Sequence, residues 1–296
     1  IHINAYNFPI WGMLEKIAVN LLAGVPAVVK PATVTSYLTE LMVRDIVASG
    51  ILPDGSLQLI CGSAQDMLDH VQSQDVVTFT GSASTGRKLK SHPAILDNAV
   101  PFNMEADSLN AAILGEDAKP GTEEFDLFIK EVRREITVKA GQKCTAVRRV
   151  IVPESLVEDV QIALGKALAK TVIGDPAQEG VRMGSLAGLK QREEVKEKIR
   201  ELAAAQEIVI GTMDEFEVVG ADPNKGAFLP PIVFRCNDPF NKTACHDIEA
   251  FGPVSTIIPY KDLDEAIKLS KMGKGSLVCS ITTYDDDIAR DFVVSA

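Results

Sequence analysis

Short β-branched runs alternate with amphipathic stretches of helical period along most of this chain, and this alternation limits the fold more than any other feature. MLEKIAVNLLAG (13–24) carries apolar residues at helical spacing and stops at Gly24. PAVVK (26–30) suits a short buried strand, SYLTELMVRDIVASG (36–50) a second helix closed by glycine, and SLQLIC (56–61) another strand. AQDMLDHVQ (64–72) reads as a short helix, DVVTFT (75–80) as a strand, and GSASTGRKLKSH (81–92) as the start of a helix. A second such region follows, with strands at 110–114, 146–152 and 276–282 and helices at 123–141, 154–172, 188–206 and 262–273. Strands and turns fill 207–258. Parallel strands need crossovers of helix length, so the pattern predicts an α/β protein with parallel sheets covered by helices. A domain boundary is expected near 105–110.

The 296 residues are 46% hydrophobic and 24% charged, enough to bury one large core or two smaller ones. Charge or proline interrupts every long apolar run, so no membrane span is expected. The first residues, IHINAYNFPIW, show no basic region ahead of an apolar core, and a cytoplasmic location is expected. The net charge of −11 repels nucleic acid, but a phosphate-bearing small molecule needs only a local positive site. Five cysteines (Cys61, Cys144, Cys236, Cys245, Cys279) at irregular spacing suggest neither a disulfide framework nor a zinc site. The four histidines lie in unrelated contexts, and no metal is expected.

Chemistry concentrates in a few short motifs. GQKCTA (141–146) follows a long predicted helix and precedes a strand, so Cys144 sits on a turn beside a glycine that allows close approach. PFNMEADSLN (101–110) puts Glu105 at a strand end among apolar neighbours, where a carboxylate can serve as a general base. TFTGSASTG (78–86) places small residues where a strand meets a helix N-terminus, a natural anion site, though neither a GxGxxG fingerprint nor a Walker loop. VVKPAT (28–33) puts Lys30 at the carboxyl end of a strand, where open α/β sheets bind ligands. NFPIW (7–11) offers an asparagine amide before a rigid turn, and IEAFGPVS (248–255) an acid, a phenylalanine and a Gly-Pro turn. Taken singly, each has a plainer reading: a buried thiol, an acid paired with a lysine, a tight turn.

Taken in order, NFP, KP, FTGS, a strand-end Glu, GQxC and ExFGPV resemble the signature series of the aldehyde dehydrogenase family. GDP at 174–176, MG at 183–184 and LPPIVF at 229–234 extend the likeness over essentially the whole chain. The resemblance implies an aldehyde dehydrogenase-like α/β fold. Residues 1–106 would form part of a Rossmann-type dinucleotide-binding domain, and 107–296 a catalytic domain that carries the nucleophile. It implies Cys144 as nucleophile, Glu105 as the base that activates water, and Asn7 as oxyanion-hole donor. Lys30 matches the lysine beside the adenosine ribose, Gly81 and Ser82 the pyrophosphate turn, and Gly86 a later glycine of that turn. Glu249 matches the acid that holds the nicotinamide ribose, and Phe251 the aromatic near the nicotinamide. An aldehyde, a nicotinamide dinucleotide and homo-oligomeric assembly are implied with them.

Two departures refine the likeness. Most members follow the base with Leu-Gly-Gly-Lys, whereas Ala106-Asp107-Ser108 follows Glu105 here, and NAD-preferring members read KPxE where this chain has Thr33. NADP is therefore expected to be preferred over NAD. MEADSLN, KPAT and GMLEKIAVNLLAGVPA together resemble one branch, the aldehyde dehydrogenase half of the bifunctional ring-opening enzymes of bacterial phenylacetate degradation. In that branch an enoyl-CoA-hydratase-like half hydrolyses oxepin-CoA, and the dehydrogenase half oxidises the resulting CoA-linked semialdehyde to an acid. The chain starts just before NFP and stops soon after SITTYDDDIARDF, so a piece of a longer protein, short at both ends, is expected. Two other readings stay open: a CoA-acylating enzyme, in which free CoA replaces water, and a non-catalytic nucleotide-binding or scaffold module.

Overall fold

In the computed structural model, which describes residues 1–63, 66–214 and 216–296, the alternation of strand and helix builds two sheets. They belong to two units, Ile1–Asp107 and Ser108–Ala296. Among the described residues, no helix is long and apolar enough to cross a membrane.

The first unit runs β1 (His2–Ile3), α1 (Trp11–Leu22), β2 (Ala27–Lys30), α2 (Ser36–Ala48), β3 (Leu57–Leu59), β4 (Val77–Gly81), α3 (Ala83–Lys90), α4 (Pro93–Asp97) and β5 (Phe102–Ala106). The sheet order is β3-β2-β1-β4-β5, and every pair is parallel. The chain steps outward from β1 to β3, then returns to the other side of β1 as β4. Loops leaving the carboxyl ends of β1 and β4 therefore diverge, which is where open α/β sheets form a ligand crevice. In β2, Ala27 and Val29 are buried and alternate with half-buried Val28 and Lys30, the period-two signature of a strand. Met13 and Ile17, four apart on α1, pack on Ala27 and Val29. Leu68, Val71, Val77, Ile95 and Val100 form a separate cluster.

The second unit runs β6 (Ala111–Leu114), α5 (Glu123–Thr137), β7 (Arg149–Pro153), α6 (Val157–Leu168), α7 (Leu189–Ala203), β8 (Glu207–Ile210), β9 (Ile232–Arg235), α8 (Ala244–Asp247), β10 (Val254–Tyr260), α9 (Leu263–Lys271), β11 (Cys279–Thr282) and α10 (Asp286–Ser295). Its sheet order is β11-β6-β7-β10-β9-β8, parallel except for the β8–β9 edge. All five residues of β7 are buried, as a central strand covered on both faces requires. Val150 and Val152 enter the cluster with Phe128, Val132 and Ile136 of α5 and Val160 and Leu164 of α6. Ile151 points the other way, toward Ile258, Leu269 and Phe292. At the carboxyl ends of β6 and β11, the Asp117 carboxylate accepts hydrogen bonds from Thr283 Oγ1 (2.8 Å) and from the N–H groups of Tyr284 (2.8 Å) and Asp285 (3.0 Å).

Three differences from the sequence reading stand out. The helix predicted over 123–141 ends at Thr137, and Lys139, Ala140 and Gly141 follow with φ of +54°, +51° and +68°. The apolar period runs on through Val138 and Ala140, so nothing local marks the stop. The predicted helix 64–72 starts on residues outside the described set, and Met67–His70 form one 3-10 turn. The sequence reading left β1, α4, α8 and α10 out, α8 falling where only strands and turns were expected; α10 begins in an aspartate run that resembles a loop, yet Asp285 caps it by accepting from the Asp287 and Ile288 N–H groups.

Candidate active site

In the first unit, the singled-out residues fall on the carboxyl edge of the sheet or on the helix leaving it. Asn7 lies half-buried in the β1–α1 connection. Lys30 closes β2, and its Nζ donates to Pro31 O (3.0 Å). Burial holds its pKa below the usual lysine value, and Cys61 pulls the other way. Thr33 is exposed and opens a 3-10 turn, Thr33–Thr35, with its carbonyl accepting from Ser36 Oγ (3.0 Å). Gly81 ends β4, and Ser82 caps α3 by accepting from the Thr85 N–H (3.4 Å). Gly86 is buried inside α3, where a Cβ would strike the Met104 side chain, so the helix rides close on β5. The Ala83 N–H donates to Asp107 Oδ1 (2.9 Å).

Glu105 stands opposite Thr80 in the β4–β5 register. It is half-buried on an edge strand, with Asn103 and Met104 beside it exposed. A lysine acts on it electrostatically. Lys16 of α1 donates to Asn4 Oδ1 (3.0 Å) and Thr80 Oγ1 (2.7 Å). Burial lowers its pKa, while Glu15 and Glu105 raise it. Sequence reasoning missed Lys16, although a lysine between Met13 and Ile17 on the buried face of a helix is a readable signal. The donor set of this edge, an ammonium at β2, a hydroxyl at Thr33 and a glycine turn leading into a helix N-terminus, fits a dinucleotide.

In the second unit, the loops that carry the singled-out residues lie at the amino edge of the sheet, before β7 and before β10. Cys144 is partly exposed in the loop between Gly141 and β7. Beneath it, buried Asn110 donates from Nδ2 to Cys144 O (2.8 Å) and Ala146 O (2.9 Å). Asn110 Oδ1 accepts from Ser108 Oγ (2.6 Å) and the Val278 N–H (2.9 Å). Ser108 Oγ in turn accepts from the Leu277 N–H (3.0 Å). The Ser108-Leu109-Asn110 segment thus fastens the Cys144 loop to the start of β11. Buried Gln142 accepts from the Ala187 N–H (2.8 Å), and Lys143 pairs with Glu135 (2.7 Å). Burial lowers the Lys139 pKa, and Cys144 raises it, which sets a cation within electrostatic reach of the thiol.

Glu249 and Phe251 share the loop ahead of β10 and meet one side chain that sequence reasoning passed over. Arg148 is buried, with Nε 3.7 Å from Glu249 Oε1 and its guanidinium carbon 5.4 Å from the Phe251 ring centre. An arginine next to another arginine at a strand start reads as solvated surface, which hid it. Cys61 and Cys279 are exposed thiols, whereas Cys236 and Cys245 are buried against each other. A hydrogen bond with Cys245 lowers Cys236 to about 7, and Cys245 is pushed up. Among the described residues, no group of three or more His, Cys, Asp or Glu is placed to hold a metal ion.

Comparison with known proteins bears on this arrangement. A family model described as "Aldehyde dehydrogenase family" matches residues 1–295. The chain is 46% identical over 285 residues to the 3,4-dehydroadipyl-CoA semialdehyde dehydrogenase of Aromatoleum evansii, covering 96% of this chain and 55% of that protein. It is 29% identical over 290 residues to the geranial dehydrogenase of Castellaniella defragrans, covering 96% and 56%. A betaine aldehyde dehydrogenase double mutant from Staphylococcus aureus, solved in complex with NAD+, superposes with a TM-score of 0.87 at 25% identity, over 99% of this chain and 58% of that one. The chain thus spans a little over half the length of these relatives.

Proposed function

The chain belongs to the aldehyde dehydrogenase family and has its α/β fold, and from that premise we propose that it oxidises an aldehyde to a carboxylic acid through a cysteine-bound intermediate. Residues 1–106 are assigned to dinucleotide binding and 107–296 to the nucleophile. Cys144, as thiolate, attacks the aldehyde carbon and leaves an alkoxide on the thiohemiacetal. The Asn7 side-chain amide and the Cys144 backbone N–H donate to that oxygen, a type of contact whose loss slows turnover by about 10²–10³. A bound nicotinamide dinucleotide would supply the hydride acceptor. Glu105 then takes a proton from water, and the resulting hydroxide hydrolyses the thioester on Cys144. Lys30 and Thr33 are assigned to the adenosine ribose, Gly81, Ser82 and Gly86 to the diphosphate, and Glu249 and Phe251 to the nicotinamide riboside.

The observation that carries this reading is the setting of Cys144. Of the five cysteines, this one lies on a GQxC turn and rests on a buried asparagine that bonds its carbonyl, with the charge of Lys139 acting on it electrostatically. For the substrate, we propose an aldehyde attached to CoA. The 46%-identical relative, a 3,4-dehydroadipyl-CoA semialdehyde dehydrogenase, supports that class, and the MEADSLN and KPAT motifs support the phenylacetate branch. We also propose a homo-oligomer acting in the cytoplasm, with a hydratase-like domain as a fused partner. The test is reduced-nicotinamide absorbance with the full-length protein, comparing the phenylacetate-pathway CoA semialdehyde with 3,4-dehydroadipyl-CoA semialdehyde and a CoA-free aldehyde. Product analysis goes with it: a carboxylate supports water as the acceptor, and an acyl-CoA formed only when free CoA is added would assign the acylating reaction instead.

A further inference from the structure

We infer that Arg148 is a positioning residue that locks the nucleophile loop to the Glu249–Phe251 loop and thereby sets dinucleotide affinity and the reactivity of Cys144. The two loops approach with no room to spare, because a Cβ at Gly141 would land on the Gly252 carbonyl. Their carbonyl groups converge on one cation: Arg148 Nη1 donates to Gly252 O (2.6 Å) and Nη2 to Gly141 O (2.7 Å). Two carbonyl dipoles aimed at the same buried point repel each other unless a positive group stands between them. The remaining edge of the guanidinium faces Glu249 Oε1 at 3.7 Å, and its carbon lies 5.4 Å from the Phe251 ring centre, within cation–π range. One planar group thus touches both loops, the proposed ribose acid and the proposed nicotinamide neighbour. Lysine, a point charge without the fork, cannot bond both carbonyls in this geometry.

Neighbouring Arg149 shows what a structural arginine looks like here. It is as deeply buried, but its donors go to Leu109 O (2.7 Å) ahead of β6 and to Leu269 O (2.6 Å) and Ser270 O (3.0 Å) at the end of α9. Two consecutive arginines therefore point to opposite tasks, and a buried charge is retained in each case because carbonyl oxygens surround it.

The inference rests on the assignment of Cys144, Glu249 and Phe251, and its test separates the two. In full-length protein, Arg148→Ala and Arg148→Lys are compared with wild type by three measurements: dinucleotide binding by fluorescence, the rate of Cys144 alkylation by iodoacetamide, and kcat and KM with an aldehyde. Both variants should weaken dinucleotide binding and raise its KM by about tenfold or more, with a smaller change in aldehyde KM. Cys144 alkylation should slow with them. Millimolar guanidinium ion should restore binding and alkylation in Arg148→Ala, whereas sodium chloride at equal concentration should not. Arg149→Lys should lower Tm without selective loss of dinucleotide binding. If Arg148→Ala does not fold, Arg148→Lys decides alone. Unchanged binding and alkylation in the folded variants, or a loss that guanidinium leaves untouched, overturns the inference. If wild type oxidises no aldehyde, the proposed reaction falls, while binding and alkylation still report on Arg148.

Discussion

At the scale of single residues, the cofactor preference we propose rests on Thr33. A glutamate three residues after the matching lysine would lie close to a 2′-phosphate, and at about 5 Å with an effective dielectric near 20 a like-charge pair costs on the order of 3 kcal/mol. Thr33 is exposed and neutral, so Lys30 can meet the phosphate unopposed. We expect NADP to be preferred by more than about tenfold in kcat/KM, roughly 1.4 kcal/mol. Thr33→Glu should shift the ratio toward NAD; a wild-type preference for NAD would refute the argument. Cys144→Ala should abolish oxidation but keep dinucleotide binding. Glu105→Gln should accumulate an acyl adduct on Cys144, visible by intact-mass spectrometry. A different residue makes a pH prediction. His246 has Nδ1 3.3 Å from the Arg149 guanidinium. Burial, then Arg149 and more weakly Lys274, hold its pKa down from 6.5 to about 4 against the pull of Asp247 and a backbone contact at Pro239. The folded state thus refuses a proton that the unfolded chain accepts, so this stability is complete above pH 6.5 and is lost as pH falls toward about 4. His246→Gln should flatten the fall of Tm across that window, and an equally steep fall in the variant would assign it elsewhere.

At the scale of elements, the decisive feature is the end of α5. The helix stops at Thr137, and three residues in the left-handed region turn the chain toward Cys144. Lys139 and Ala140 hold a conformation that residues with a Cβ adopt at some cost, and Gly141 lies where a Cβ would meet the Gly252 peptide. Gly141→Ala should destabilise the protein by about 1–3 kcal/mol. It should also lower kcat more than the aldehyde KM; a variant with normal melting and turnover would show that the loops can separate. This stop also marks where the sequence ceased to be readable. The strands and helices of both sheets follow from local period, because β7 is apolar from Val150 to Pro153 and α5 along one stripe. The left-handed turn depends on Gly252, more than a hundred positions away, and no window of sequence contains both. For the same reason Cys144, Glu105 and Asn7 could be proposed from motifs, while Arg148 and Asn110 could not. Their partners are backbone carbonyls and distant side chains, which leave no motif behind.

At the scale of the molecule, the two units place their proposed chemistry on opposite rims of their sheets. In the first, Asn7, Lys30, Gly81 and Glu105 follow the general rule and gather where parallel strands end. In the second, Cys144, Glu249 and Phe251 lie where β7 and β10 begin. The far rim of that second sheet carries the Asp117 clasp on Thr283, Tyr284 and Asp285. Asp117→Ala removes a carboxylate with three donors and should cost about 2 kcal/mol or more, seen as a Tm lower by several degrees. Its kcat should stay near wild type at a temperature where both proteins are folded. Asn110→Ala, which unfastens the Cys144 carbonyl, should instead lower kcat and the rate of Cys144 alkylation. Equal effects of the two variants on turnover would refute the division. A sheet arranged this way can be retuned from its far end alone: changes around Asp117 adjust how much heat the protein survives and leave what it reacts with untouched, whereas changes at the Cys144 rim move both.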